Sequence, residues 1–209
     1  MISIQNWDTY GWEASVRGLR NPLNSWDRSD STWDGLAGER YGFIIGRKDM
    51  ALMKKLVKAG TDHSKFMRMI NVTADITAPL YWWKEFDTYK VGVTTNSCST
   101  MHKIHEKEFV LEDFSTEHLD DFSVDHLETL ILYLNSMREM FLETGNNHYW
   151  WQMIQLLPSS YNQKRTVQMN YQVLRNIYHA RKNHKLNEWR DLCKWIEEKL
   201  PYAELITEE

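Results

Sequence analysis

The C-terminal half of the chain carries a helical pattern. Leu127, Leu130, Ile131, Leu134, Met137 and Phe141 recur at spacings of three and four, an amphipathic stripe that Gly145 ends. His148 to Leu157 predicts a short apolar helix stopped by Pro158. A long helix is predicted from about Asn162 to Lys182, and Leu186, Trp189, Leu192, Trp195 and Ile196 mark a last one before Pro201. Upstream the signals are mixed. Tyr41-Gly42-Phe43-Ile44-Ile45-Gly46 reads as a short strand, and a helix opens at Asp49, carries Leu52, Met53, Leu56 and Val57, and closes at Gly60. From Phe66 to Ile76 the apolar residues partly alternate up to Pro79, which favours a strand. A helix can restart at that proline, because its missing N–H would have no partner in a first turn.

Residues 1–39 are rich in Trp, Asp, Ser and Gly, which is turn chemistry without a period. Trp7, Tyr10, Trp12, Trp26 and Trp33 nevertheless give this stretch apolar mass to bury. The expectation is an ordered, irregular arm over 1–39 and a domain over 40–209. With a few strands first and helices after, the fold class is α+β in a single domain. No internal repeat is visible.

Composition narrows the class of function. The 209 residues include 25 basic and 29 acidic side chains, a formal charge of -4, which argues against a dedicated nucleic-acid binder. No apolar stretch approaches the ~18 residues of a bilayer span, and the start has no basic region followed by an apolar one. A cytoplasmic protein with no membrane partner is expected. Cys98 and Cys193 can build neither a disulfide framework nor a four-thiolate zinc site. The 8 histidines are scattered, so no metal site is expected. No glycine-rich loop of the Rossmann or P-loop kind is present, so a flavin or nucleotide would have to be held by other means.

Two segments remain as candidates. The first couples Trp82-Trp83-Lys84-Glu85-Phe86-Asp87-Thr88-Tyr89-Lys90 to the hydroxyl-rich loop Asn96-Ser97-Cys98-Ser99. The second is the predicted long helix, on which Asn170 and Arg181, eleven residues apart, share a face. Each has a plainer reading. Trp82 and Trp83 can be core, the loop a solvated turn, and Arg181 a surface ion-pair partner.

The order of these features resembles the flavin-dependent thymidylate synthase family, from about Asp49 to the last helix. The family shows Ala-Pro, Arg-Gln-Trp, Arg-His-Arg and a Ser-x-Asn-Glu-x-Ser-x-Arg loop. This chain has Ala78-Pro79, Lys84-Glu85-Phe86, Thr88-Tyr89-Lys90 and Thr94-Thr95-Asn96-Ser97-Cys98-Ser99-Thr100-Met101. Further on the family carries Leu-Pro, Tyr, Asn-x-Arg-x-Leu-x-x-Phe-x-x-x-Arg and Gln-Trp-Glu. Here stand Leu157-Pro158, Tyr161, Asn170 to Ile177, Arg181 and Asn187-Glu188-Trp189.

The resemblance implies a small antiparallel sheet with a helical C-terminal half, FAD as cofactor, and NADPH and methylenetetrahydrofolate as cosubstrates for methylation of dUMP, a pyrimidine deoxynucleotide. It implies a homotetramer with shared sites. Carried over, Ser64, Lys90, Asn96, Asn170 and Asn176 contact the cofactor. Glu85, Ser97, Ser99 and Arg181 contact the substrate, with Ser99 and Arg181 at the reacting base. The chain keeps one cation of the Arg-His-Arg three, as Lys90, and has Ser97 and Met101 where the loop's Glu and terminal Arg stand. Four cations are candidates to substitute: Lys84 and Lys103, close in sequence to those positions, and Arg165 and Arg175, on either side of Asn170. Two other readings stay open: the same fold with a changed nucleotide or one-carbon chemistry, and a non-catalytic nucleotide-binding or assembly module that uses the Trp-rich arm.

Overall fold

The computed structural model describes residues 2–35 and 42–209. The alternation upstream of Pro79 becomes strand β4 (Asn71–Pro79), in which Val72, Ala74, Ile76 and Ala78 are buried and the residues between them half-buried. Burial on every second position is what a strand with one face on the core requires. The expected strand start at Phe66 is instead a short helical turn, Lys65–Arg68. The other strands of the main sheet are β1 (Ser3–Tyr10), β5 (Thr94–Ser97) and β6 (Asn162–Asn170), in the order β1-β4-β6-β5. A second, two-stranded antiparallel sheet pairs β2 (Thr32–Asp34) with β3 (Gly42–Ile44), Thr32 opposite Ile44. Tyr41, where the sequence starts β3, and positions 36–39 of the arm lie outside the described residues.

The helices are α1 (Trp12–Arg20), α2 (Arg47–Lys58), α3 (Leu80–Phe86), α4 (Asp121–Thr144), α5 (Asn147–Leu156), α6 (Tyr171–Arg181), α7 (Asn187–Lys199) and α8 (Glu204–Thr207). Together with the small antiparallel sheet they make an α+β domain. Two expectations are corrected. Within residues 2–35 the chain forms β1, α1 and β2 rather than irregular structure; α1 buries Trp12, Val16 and Leu19 on one face. Residues 162–182 are not one helix. Their first half is β6, with Gln163, Val167 and Met169 inward, and pairing in the sheet overrides a weak helical spacing. The change of element falls at Asn170, whose Oδ1 accepts the Val173 N–H as the N-cap of α6.

The described residues group into two compact units. One comprises β1 as far as Gln5, Asp75–Thr88 and Thr95–Thr166; the other comprises Asn6–Ala74, Tyr89–Thr94 and Val167–Glu209. The core of the first is the α4–α5 pair, with Leu127, Ile131, Leu134 and Met153 packed on Ile104, Phe109 and Phe114. Gly145 ends α4 in the left-handed conformation, φ 65°, and its N–H caps Phe141. Trp82 and Trp83 are core, fully buried and packed with Phe86 at ring-centroid distances of 4.8–5.2 Å.

In the second unit Trp12 sets its edge on Tyr171 at 5.0 Å and on Tyr202 at 5.2 Å. Asp49 does not open α2, which begins at Arg47; Asp30 caps it by accepting the Lys48 and Asp49 N–H groups. Asp49 itself is fully buried. It pairs with Arg20 at 2.6 Å and accepts the Ser29 and Ser31 hydroxyls, fastening residues 20–31 to α2. Burial alone would raise its pKa, but those two hydroxyls and the guanidinium outweigh it and hold the carboxyl below the usual carboxylate range.

Candidate functional site

Helix α6 organises the second unit's share of the candidate residues. Its last residue, Arg181, is half-buried. Its Nε donates to the Tyr89 hydroxyl at 3.0 Å, and its guanidinium carbon lies 4.8 Å from the ring centre of Trp189, which is fully buried on α7. Tyr89 in turn meets Trp189 edge-on at 5.9 Å. A guanidinium stacked on an indole and bonded at Nε loses rotamer freedom before any ligand arrives, so Arg181 is an oriented cation.

At the other end of α6, Asn170 is nearly buried and spends its carbonyl oxygen on the cap. Its amide nitrogen faces Gly92. A Cβ built on Gly92 would stand 2.7 Å from that nitrogen and 3.2 Å from Val173, and Gly92 has φ 78°, so both backbone conformation and space demand glycine there. The turn that carries Tyr89 and exposed Lys90 is thereby seated on the start of α6. Asn170 and Arg181 do not share one continuous helical face, because the helix begins only after Asn170.

Ser64 is buried, and its hydroxyl donates to Gln172 Oε1 at 3.0 Å; Gln172 Nε2 donates to Asn176 Oδ1 at 3.1 Å. This relay takes Ser64 off the surface and makes it a positioning group. The exposed end of the relay is Asn176, whose side-chain carbonyl is fixed by Gln172.

The first unit holds the remaining candidates. Glu85 is half-buried on α3, and Asn96 and Ser97 are exposed on β5. Ser99 Oγ accepts the Met101 and His102 N–H groups at 3.2 and 2.9 Å, which folds the segment after β5 into a tight turn and leaves the serine proton free to donate. Cys98, between Ser97 and Ser99, is tied to β6 from both sides: its N–H donates to Lys164 O at 2.9 Å and its carbonyl accepts Gln163 Nε2 at 2.7 Å. The structure therefore links Ser64 to Asn176 through Gln172, and sets Gly92, two residues after Lys90, against Asn170.

The sequence gives Tyr89, Gly92, Gln163, Gln172 and Trp189 no role in the site and names Arg165 only as one of four candidate cations. Gly92 alone gave a local signal, a glycine in a polar turn. The others matter through partners far along the chain. Among the described residues no group of three or more His, Cys, Asp or Glu is arranged to hold a metal ion, and no helix is long and apolar enough to cross a membrane.

Neither a family profile nor a curated protein sequence matches the chain. Solved structures do. Thymidylate synthase X from Helicobacter pylori with FAD and dUMP superposes at a TM-score of 0.69 with 17% identity, over 98% of this chain and 96% of that one. A flavin-dependent thymidylate synthase from Helicobacter pylori complexed with FAD and dUMP gives 0.66 and 18%, over 98% and 95%. Likeness over nearly the full length of both chains establishes that this protein has the flavin-dependent thymidylate synthase fold.

Proposed function

We propose that the chain is an FAD-dependent methyltransferase acting on dUMP or a closely similar pyrimidine deoxynucleotide, with methylenetetrahydrofolate and NADPH as cosubstrates. The observation that carries this reading is Arg181, a cation oriented by Tyr89 and Trp189 on a fold whose compared structures hold FAD and dUMP. The donors present suit a flavin: Asn176 offers an exposed amide fixed through Ser64 and Gln172, and Lys90 an exposed ammonium. Lys90, Asn96, Asn170 and Asn176 would hold it. Bound FAD would supply hydride chemistry, with electrons drawn from NADPH.

Arg181 would donate to a carbonyl of the pyrimidine. A fixed guanidinium there draws electron density from the ring and stabilises negative charge that develops on the oxygen, without reorganisation at the moment of reaction. Ser99, its lone pairs engaged by two N–H groups, would donate its proton to the nucleotide. Ser97 would hydrogen-bond the sugar, and Glu85 would accept from a pyrimidine N–H. A homotetrameric, cytoplasmic enzyme belongs to the same proposal.

A second reading, a different pyrimidine nucleotide on the same fold, is favoured by Thr88-Tyr89-Lys90 standing where the family has Arg-His-Arg. Thermal unfolding with FAD and a panel of nucleotides tests both. A ligand at a hundred times its dissociation constant adds about 2.7 kcal/mol of stability. The largest shift with dUMP supports the first reading, the largest with another pyrimidine nucleotide supports the second, and no shift with FAD or any pyrimidine nucleotide contradicts both.

A further inference from the structure

Of the four candidate cations, Lys84, Lys103, Arg165 and Arg175, three are already spent or unfixed. Lys84 is exposed on α3, and Lys103 is exposed and paired with Glu106. Arg175 gives its Nη1 to the carbonyls of Leu205, Ile206 and Glu208.

Arg165 differs from all of them. It lies on β6 with 13% of its side chain exposed, and its guanidinium carbon sits 4.2 Å from the ring centre of Trp83. Nε donates to Gln163 Oε1 at 2.9 Å and Nη1 to Asp87 Oδ1 at 2.7 Å, while Nη2 has no hydrogen-bond partner among the described residues. Gln163 is itself 6% exposed and spends its amide on Cys98 O, and Trp83 Nε1 donates to Gln163 O at 3.0 Å. One arginine is thus built into a frame that joins the end of α3 to the backbone between Ser97 and Ser99.

A guanidinium stacked on one face and bonded at two of its nitrogens has lost its conformational entropy in advance, so a ligand bonding the third gains affinity at little ordering cost. Asp87 offsets part of the charge. Its carboxylate is half exposed, and the frame presents a donor rather than a closed ion pair.

We propose that Arg165 is an anion-binding residue that holds the phosphate of the nucleotide through Nη2, in place of the loop arginine whose position Met101 occupies. This rests on the nucleotide-binding function proposed above, and the commitment is to the phosphate and not to the base.

The test titrates the full chain, saturated with FAD, with dUMP and with deoxyuridine, as wild type, Arg165→Gln and Arg165→Lys. The expected result is a loss of about ten- to a hundred-fold in dUMP affinity for Arg165→Gln, the worth of one charge-assisted hydrogen bond, with deoxyuridine affinity unchanged. Arg165→Lys keeps the charge without the fork and falls between; it also serves as the test variant if Arg165→Gln does not fold. Unchanged dUMP affinity overturns the assignment, as does an equal loss for both ligands. If the wild type binds neither dUMP nor deoxyuridine, the proposed function fails, and inorganic phosphate then decides on Arg165 alone: weaker phosphate binding in Arg165→Gln keeps the anion site, and equal binding removes it.

Discussion

The Nε of Arg181 donates to the hydroxyl of Tyr89 at 3.0 Å, so the residue at the centre of the altered Thr88-Tyr89-Lys90 motif aims the cation on which the proposed chemistry depends. Tyr89→Phe removes that acceptor and keeps the ring that meets Trp189. Loss of one such bond is worth about 1 kcal/mol, so dUMP affinity should fall roughly five-fold with the melting temperature nearly unchanged. Isothermal titration and thermal unfolding of the same preparations check this; an unchanged affinity would show that Tyr89 does not orient Arg181.

Gly92→Ala should be more damaging than Gly145→Ala. Both positions are left-handed, a conformation that costs about 1–2 kcal/mol once a Cβ is present. At Gly145 nothing lies within 4 Å of the added carbon, whereas at Gly92 it meets Asn170 at 2.7 Å. Gly92→Ala should therefore also weaken FAD binding, which Gly145→Ala should leave intact. Denaturant unfolding and FAD titration of the two variants distinguish strain alone from strain plus displacement of Asn170.

Asp49 gives the stability a defined acid limb. Its folded pKa is lowered, so the unfolded chain takes up this proton at a higher pH than the folded one. The stabilisation is complete above the unfolded value near 4 and is lost as the pH falls through the lower folded value. Asp49→Asn leaves Arg20 buried without its counter-charge and should cost about 3 kcal/mol at neutral pH. Urea unfolding from neutral pH down to pH 3 should show this contribution to the wild type's acid loss absent in the variant.

The two thiols should react in sequence. Cys98 is exposed, while burial, with Glu197 nearby, pushes the Cys193 thiol up to about 11. At pH 8 a thiol reagent should label Cys98 in the folded protein and Cys193 only on unfolding. Rapid labelling of both without denaturant would contradict the packing of α7 against α6.

The α4 and α5 helices were legible because each has an apolar stripe and a stop, Gly145 or Pro158. The β6–α6 boundary was not. Residues 162–170 mix polar and apolar positions without a clean period, and sheet pairing rather than local preference makes them a strand; only Asn170, a good N-cap, marked the join. The regular elements within residues 2–35 are hidden for a related reason. The Asp and Ser residues there look like solvated turns, yet Ser29, Ser31 and Asp30 are spent on Asp49 and the start of α2, contacts that no window of sequence contains. For the candidate site, the sequence puts Arg181 on one helical face with Asn170, which the start of α6 at Tyr171 does not provide; the orientation of Arg181 by Tyr89 and Trp189, and the frame around Arg165, depend on residues brought from distant positions.

Incubating the purified protein with FAD, NADPH, methylenetetrahydrofolate and dUMP, followed by mass spectrometry of the nucleotide, decides whether the chain methylates dUMP. The wild type should form dTMP, and Arg181→Ala at least a hundred-fold less, as loss of a preorganised charge-stabilising group entails. Unmodified dUMP from a wild-type protein that is folded and saturated with FAD would contradict the proposed function.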